Sequence, residues 1–266
     1  MLTAVEYLRP VGFGATSPQL FRADDGKSYV VKLQNNRLGP RVLANELLGT
    51  RLGERLGLCF PPGGIIKLDD RLIRKSRILS NAHVSPGKHF ACQYLNGTQY
   101  LCVHNLHKAI NKPEMAGVML FDHMLHNLDR TMNRRNLLLR REEHGYKIYA
   151  IDNSHLFRSA IWSEERLRRL ATRIQVNHQR SYGALLKKFL RPAYFETYFA
   201  KVKDISDGEF QELVATIPTE WLPHASERET LCQFLSARRD MAEEIITCLC
   251  SLIPNKHRCS NIDQGK

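Results

Sequence analysis

One stretch of the chain, from residue 118 to residue 152, most constrains what it can fold into. Its first part is apolar at helical spacing, at Val118, Phe121, Leu125 and Leu128. A polar cluster with Asp129 and Arg130 at its centre follows directly. Two apolar runs, 136–140 and 146–152, then predict a hairpin whose second strand ends at Asp152. We therefore expect a helix, a polar loop and a hairpin, with one acid in the loop and one at the end of the hairpin.

The order of these polar residues is typical of protein-kinase-like enzymes. There, the first acid orients or deprotonates the acceptor hydroxyl, while an asparagine and a second acid hold magnesium against the nucleotide phosphates. Asp129, helped by Arg130, fits the catalytic position, and Asp152 fits that of the second acid. Asn133 and Asn136 are both candidate metal ligands, and Asn136 is favoured because a Leu-Leu-Leu run follows it. Each of these residues could also be an ordinary turn former. The leading prediction is ATP-dependent phosphoryl transfer.

Lys32 is the candidate ligand for nucleotide phosphates. It follows Tyr-Val-Val in a predicted strand, where an ammonium without an anionic partner would be costly to desolvate. Glu46 lies on the next predicted helix and could supply a carboxylate. The alternative is a lysine on the polar face of an exposed strand. The glutamate-bearing helix and the later acids favour the functional interpretation.

A glycine-containing turn precedes that strand. Gly12 and Gly14, with Ser17 shortly after them, could fold over phosphates and donate backbone N–H groups. The Gly-Lys-Ser/Thr ending of a Walker A loop is absent. Two glycines also occur in many ordinary hairpins, so this turn only supports the prediction.

Composition narrows the class of protein. The 266 residues are 43% hydrophobic, enough to bury one large core or two modest ones. No apolar run reaches the roughly 18 residues of a membrane span, and the first residues lack signal-peptide character. The seven cysteines are irregularly spaced, which favours neither a zinc site nor a disulfide framework. We expect a protein without a membrane span in a reducing cytoplasm.

The charge is strongly basic, with 39 Lys and Arg against 27 Asp and Glu. Such an excess could meet nucleic acid, an anionic membrane, an acidic protein or a phosphate-rich cofactor. No recognisable nucleic-acid motif accompanies it, so nucleic acid stays an unsupported partner. The basic clusters, among them 166–173, are interpreted as solvated helix faces.

The chain is predicted to be an α+β protein of two lobes with a protein-kinase-like fold. Residues 1–95 carry strand patterns and one helix, and form the ATP-binding lobe. An Asp-Gly turn at residues 25–26 predicts one of its hairpins. Residues 96–266 form a mainly helical catalytic lobe, with only helical segments from residue 163 to about 253. The last of these is predicted to begin near Ser226, which has a capping-box pattern with Glu229.

These motifs together resemble the HipA-like kinases, specifically their short bacterial branch. The resemblance covers approximately residues 5–160 and rests on Val-Val-Lys32, Asn-x-Asp129-Arg130, Asn136-Leu-Leu-Leu and Ile-Asp152. Relatives with the same Asn-x-Asp-Arg signature occur among secretory-pathway and phosphatidylinositol kinases. The resemblance implies that Lys32 binds ATP phosphates, that Asp129 is the catalytic base and that Asn136 and Asp152 hold Mg²⁺. It also implies a possible antitoxin-like partner.

The chain departs from that family in two places. The metal asparagine of ordinary kinases comes five positions after the catalytic acid, where this chain has Arg134. The Asp-Phe-Gly tripeptide is replaced by Asp152-Asn-Ser. HipA toxins are silenced by serine phosphorylation in the phosphate loop, and Ser17 occupies a similar neighbourhood here.

Two other functions compete. A nucleotide-binding pseudokinase or regulatory module is one, because none of these residues by itself proves turnover. The other is a metal-dependent phosphohydrolase. Its site would be formed by Asp122, His126 and Asp129 on one helical face, with His104 and His107 nearby. The hydrolase is disfavoured because such enzymes usually carry His-Asp, and the dipeptide here is Asp122-His123.

Overall fold

The first part of the chain is a small closed barrel. The computed structural model describes residues 1–12, 15–133 and 135–255. Five strands follow one another around the barrel in the order β1-β2-β3-β5-β4, and β1 closes it by pairing in parallel with β4. The strands are β1 (Leu2–Pro10), β2 (Gln19–Ala23), β3 (Ser28–Lys32), β4 (Gly63–Leu68) and β5 (Gly87–Gln93). The predicted Asp-Gly hairpin is confirmed, because β2 and β3 pair across a turn in which Gly26 has φ 79°.

One long helix, α1 (Arg41–Leu56), connects β3 to β4. It begins after Pro40 and ends at Gly57, whose φ of 67° closes the helix in the left-handed region. Of its 16 residues, 12 are buried. The helix packs on β4 and β5 on one side and on helices of the carboxyl-terminal region on the other.

Two short helices between β4 and β5 were not predicted. They are α2 (Asp70–Lys75) and α3 (Arg77–Asn81), and each buries one apolar residue, Ile73 and Leu79, in the core of the barrel. The expectation of a single helix before residue 95 is therefore wrong. Their arginine-rich sequence shows no helical pattern of apolar residues. The two helices are evident only from the burial of Ile73 and Leu79 in the structure.

A second sheet and two helices occupy the middle of the chain. The predicted hairpin is confirmed as β7 (Leu137–Glu142) and β8 (Gly145–Ala150), and the three-residue strand β6 (Thr98–Tyr100) pairs with β7. The helix α4 (Met115–Met124) is buried over its whole length. The short helix α5 (Asp129–Met132) stands where a loop was predicted, so Asp129 opens a helical turn.

The described residues beyond 163 form only helices, as predicted. These are α6 (Glu164–Ala171), α7 (Arg180–Lys188), α8 (Pro192–Lys203), α9 (Asp207–Ala215), α10 (Ala225–Asp240) and α11 (Ala242–Ser251). The predicted cap at Ser226 is wrong: its hydroxyl donates to Glu164, and α11 follows as a further helix. The capping box is instead at Ser206 and Glu209, where α9 begins.

The buried apolar residues of the described chain form two clusters. The smaller one fills the barrel, and the larger one joins α1, α4, the second sheet and the carboxyl-terminal helices. Since α1 belongs to the larger cluster, it is fixed from the side opposite the barrel. Among the residues that the structure describes, no helix is both long enough and apolar enough to cross a bilayer.

Candidate active site

A cleft of about 770 Å³ lies between the barrel and the second sheet. Its apolar wall includes Val30 and Phe90 from the barrel and Leu138 from β7. Six of the predicted site residues line it: Gly12, Lys32, Glu46, Asn133, Asn136 and Asp152. Residues predicted from positions as far apart as 12 and 152 therefore line one cleft.

Lys32 bridges two carboxylates at the floor of this cleft. Its Nζ donates to Glu46 Oε1 and, at 2.9 Å, to Asp152 Oδ1. Burial alone would lower the pKa of Lys32, but Asp152 and Glu46 outweigh it and raise that pKa above its ordinary value. Burial raises the pKa of Glu46 to about 7 in spite of Lys32. The predicted partnership of Lys32 with a glutamate on the next helix is present in the structure.

Asp152 is held in an unusual backbone conformation. Its φ is 68°, the left-handed region that few non-glycine residues adopt, and such residues concentrate at functional sites. Oδ1 accepts the Ser154 N–H at 3.1 Å and the Ser154 hydroxyl as well as Lys32. Burial would raise its pKa, but Lys32 and Ser154 hold the pKa well below its usual range. Asp152 is thus an ionised carboxylate presented to the cleft.

Asp129 and Asn136 lie side by side. The Asn136 amide donates from Nδ2 to Asp129 Oδ2 at 2.7 Å. This bond orients the amide, so that its carbonyl oxygen stays available to another partner. Asn133 makes a local turn instead, since its Oδ1 accepts the Arg135 N–H at 3.1 Å. Of the two asparagines, Asn136 is therefore the one whose side chain is arranged around Asp129.

Arg130 has a different place from the one predicted. It does not line the cleft, and its side chain is 1% exposed. Nη1 pairs with Asp122 Oδ1 at 2.5 Å, and Nη2 donates to Asn153 Oδ1 at 2.5 Å. Further bonds of 3.3 Å reach the carbonyls of Ile151 and Asp152. Arg130 consequently holds the backbone that carries Asp152 and has no access to reacting groups in the cleft.

Three residues around Arg130 have roles that the sequence analysis did not predict: Asp122, Asn153 and Tyr182. Asp122 accepts from Arg130 and from the Tyr182 hydroxyl, and burial raises its pKa to about 6 although Arg130 lowers it. Asn153 also donates its N–H to Glu46 Oε2 at 3.1 Å. Its side chain lies so close to α1 that a Cβ on Gly49 would meet it at 2.6 Å. Asn153 thereby joins α1, Glu46 and Arg130 in one buried network.

The glycine-containing turn lies at the mouth of the cleft. It is closed by the Val11 N–H, which donates to the Pro18 carbonyl at 2.9 Å. Gly12 lines the cleft with φ 68°. Ser17 is exposed and does not line it, while Gly14 lies outside the described residues. The arrangement is compatible with a loop above bound phosphates, and of the two predicted residues that the structure describes here, Gly12 lines the cleft.

A magnesium ion fits the donors that this site offers. The Asn136 carbonyl and the Asp152 carboxylate are hard oxygen ligands, the kind that Mg²⁺ prefers. They come from the two ends of the β7–β8 hairpin, so the strand pairing of β7 with β8 brings them to one side of the cleft. The low pKa of Asp152 keeps this carboxylate in the form that binds a cation.

The residues of the phosphohydrolase alternative do not gather. Asp122 is bound to Arg130 and Tyr182, whereas His126 Nε2 contacts the Leu170 carbonyl at 3.0 Å. Asp129 is bound to Asn136. Within the described ranges, no three side chains of His, Cys, Asp or Glu form a group that could hold a metal ion. Asp122, His126 and Asp129 therefore have separate partners in the described structure.

Comparison with known proteins agrees with this geometry. The kinase CtkA of Helicobacter pylori superposes with a TM-score of 0.60 at 12% identity, covering 93% of this chain and 96% of its own. Fam20 of hydra superposes with a TM-score of 0.54 at 12% identity, covering 94% of this chain and 87% of its own. These superpositions show a kinase-like fold of mixed α and β structure. At 12% identity they show no shared substrate.

The sequence itself gives the family. No curated protein matches the chain. The sequence model described as HipA-like kinase, however, matches residues 4–247, which is nearly the whole chain and extends well beyond the residues that carried the resemblance. The chain therefore belongs to the HipA-like kinase family.

Proposed function

We propose that this chain is an active kinase that transfers the terminal phosphoryl group of Mg-ATP to a hydroxyl group. The acceptor would be a Ser or Thr side chain of a protein, or the hydroxyl of another substrate. One observation carries the proposal: Lys32 is paired with Glu46 and Asp152 in the same cleft that Asn136 lines. Phosphoryl transfer depends mainly on positioning and on stabilising charge, and these residues are of the types that supply both.

In this proposal the apolar wall around Val30 and Phe90 receives the adenine ring, and Lys32 binds the α and β phosphates. Glu46 keeps the Lys32 ammonium directed into the cleft. The N–H groups of the turn from Val11 to Pro18, in which Gly12, Gly14 and Ser17 lie, would cover the phosphates.

Asn136 and Asp152 would hold Mg²⁺, with Asn133 as the weaker candidate. The ion supplies charge neutralisation between the phosphates when it is bound. Asp129 would accept the proton of the acceptor hydroxyl, and its bond to Asn136 keeps the two side chains in a fixed relation. Arg130 contributes by positioning the Asp152 backbone.

The same proposal includes the division into an ATP-binding lobe, residues 1–95, and a catalytic lobe, residues 96–266. The bacterial setting, the acceptor and an antitoxin-like partner stay predictions from the family resemblance. The cytoplasmic setting stays a prediction from the cysteine pattern and the first residues of the sequence. The basic excess of the chain is compatible with an acidic protein acceptor.

Calorimetry of ATP binding, with and without magnesium, tests the proposal on the wild type and on Asp152→Ala. We expect magnesium-dependent binding in the wild type and its loss in the variant. Asp69→Ala is a matched control, because this acid is exposed and its salt bridge to Lys67 lies on the surface. A variant and a wild type with the same magnesium-dependent affinity would refute the metal-binding role of Asp152.

A second experiment separates binding from turnover. Asp129→Asn should keep ATP affinity while phosphoryl transfer falls about 10²–10⁴-fold, the usual contribution of a general base. Autophosphorylation and transfer to generic protein acceptors would be followed with labelled ATP. Nucleotide binding by the wild type without any transfer would favour the pseudokinase alternative.

A further inference from the structure

A second cavity, of about 390 Å³, lies outside the candidate active site and is surrounded by arginines. Its lining consists of Arg158, Arg166, Arg169, Arg173 and Leu170. Arg158 follows the segment that carries Asp152, and the other residues belong to α6 or to the turn after it. The sequence analysis assigned the arginines of residues 166–173 to solvated helix faces, and the structure instead directs three of them to one concavity.

The four guanidinium groups have no acidic partner within the part of the chain that the structure describes. Every ion pair of the described residues involves other cations; Arg168, on the same helix, is paired with Glu164. The only side-chain bond in the group is a long one, 3.5 Å, from Arg166 to the Arg158 carbonyl. Four like charges around one concavity repel each other and create a strong positive potential there.

An ordinary structural explanation covers only part of this cluster. Basic residues near the carboxyl end of a helix interact favourably with the helix dipole, which accounts for Arg169 and Arg173. It does not account for Arg158, which comes from another segment and faces the same cavity.

Arg158 is presented by a strained and well-anchored backbone. Phe157 and Arg158 have φ values of 60° and 63°, and their N–H groups donate to the carbonyls of Leu125 and His126. The Phe157 ring is fully buried and packs edge-on against Trp162 and Phe234. Backbone strain of this kind persists only where the surroundings impose it, and it is common at ligand clamps.

The lining indicates which chemistry the cavity would recognise. Guanidinium groups bind phosphate oxygens through paired hydrogen bonds, and four of them balance the charge of two phosphate groups. Among the described residues that line the cavity, Leu170 is the one apolar side chain, and none offers an aromatic ring on which a base could stack. The acids Glu164 and Glu165 occupy the first turn of α6, on the same helix as three of the arginines, and would repel a long polyanion that ran along it. These features favour a compact ligand over a nucleic acid strand.

We propose that this cavity, the α6 arginine site, binds a compact small molecule that carries at least two phosphate groups. Its four arginines form the site, and the ligand is recognised through its phosphates alone. The site is separate from the nucleotide cleft, because the two share no lining residue.

Calorimetry with inorganic tripolyphosphate, in magnesium-free buffer, tests the proposal on the full chain. The probe variant is Arg169→Gln/Arg173→Gln, and the matched control is Lys187→Gln/Lys188→Gln, which removes two exposed charges from the end of α7. We expect the probe variant to bind at least tenfold more weakly and the control to bind within twofold of the wild type. Equal affinity of the probe variant and the wild type, or no binding by the wild type, would overturn the proposal.

Two further arms identify the source and class of the ligand. Arg158→Gln should weaken binding by itself, which shows that both segments contribute. Vesicles containing a doubly phosphorylated inositol lipid test whether the arginines bind the same phosphate groups on a lipid headgroup. Arginine-dependent binding to the vesicles assigns the site to a lipid. No such binding assigns it to a soluble molecule. Tighter binding of a short RNA duplex than of tripolyphosphate, through the same arginines, would overturn the small-molecule assignment.

Discussion

Two arginines, Arg130 and Arg238, are buried to 1% and 0% exposure, and they solve the problem of a buried charge in different ways. Arg130, beside the cleft, pairs with the Asp122 carboxylate and stacks over the Phe60 ring at 4.8 Å. No carboxylate of the described residues is bonded to Arg238. It donates to five main-chain carbonyls, those of His123, Met124, Leu170, Ala171 and Arg173.

The difference teaches what each region is for. Arg238 binds carbonyls at the carboxyl ends of α4 and α6, the groups that a helix leaves without partners. It therefore joins two helices and needs no counter-ion, because the carbonyls and the helix dipoles supply negative potential. Arg130, by contrast, ties an acid to the backbone of Asp152. The contacts of Arg238 stabilise the core, and the contacts of Arg130 connect that rigid core to the cleft.

Arg130→Met is expected to have the largest effect. It leaves the Asp122 carboxylate buried without its counter-ion, which costs about 3–5 kcal/mol of unfolding free energy. The carbonyls of Ile151 and Asp152 also each lose a hydrogen-bond donor, so magnesium-dependent ATP affinity should fall in the remaining folded protein. Urea unfolding and calorimetry measure the two effects. Unchanged ATP affinity in the folded variant would contradict the positioning role of Arg130.

Arg238→Met should destabilise the protein without changing the cleft. Several buried carbonyls lose their donor, and we expect a loss at the upper end of the roughly 1–3 kcal/mol that unpaired buried polar groups cost. ATP affinity, measured under conditions where the variant is folded, should match the wild type. A fall comparable to that of Arg130→Met would show that the two regions are not functionally distinct.

Tyr182→Phe probes the Arg130 region more gently. It removes one hydroxyl that donates to Asp122 and leaves the aromatic packing of α7 intact. The expected loss is about 1.5 kcal/mol, the lower end for a hydrogen bond to a charged group. Thermal unfolding measures it, and the double variant with Asp122→Asn should show less than the sum of the two single losses, because both act on the same bond.

The contributions of the two regions to the free energy of unfolding should also depend on pH with opposite sign. Burial lowers the pKa of His123 to about 4, below its unfolded value. Its Nε2 accepts the Asn177 N–H, so protonation would place two donors face to face. The unfolded state therefore binds more protons between about pH 6.5 and 4, and stability falls as the pH falls through that range. The raised pKa of Asp122 acts in the reverse direction: its contribution is lost as the pH rises through about 6.

Unfolding free energies measured from pH 4.5 to 7 test this contrast. His123→Gln should make the acid side of the profile shallower by up to about 1.4 kcal/mol per pH unit, and Asp122→Asn should make it steeper. Parallel profiles for the wild type and both variants would show that neither group titrates between folded and unfolded states as inferred.

Sequence reasoning reached the parts of the site that depend on local pattern. Lys32 in a strand and Glu46 on the following helix were paired correctly, because a buried lysine demands an acid and the next helix offered one. The hairpin that ends at Asp152 was equally predictable, since alternating apolar runs and a turn define it.

The Arg130 network could not be predicted from the sequence because it depends on contacts between residues that are far apart in the chain. Asp122 shares a helical face with His126, and this suggested a metal site, whereas its true partners come from α5 and α7. Asn153 resembled an ordinary turn residue, and only the approach of Gly49, more than a hundred positions earlier, shows what it does. A polar residue in a turn carries no local sign of which buried donor it will meet.

The burial of α1 has a consequence for pharmacology. A ligand can select a state in which the helix that bears Glu46 has moved away from Lys32 only if that state is accessible. Here 12 of its 16 residues are buried, and it is fixed from both sides by the barrel and by the carboxyl-terminal helices. Compounds that require the displaced helix should therefore bind weakly, and those that compete for the described cleft directly offer the more promising chemistry.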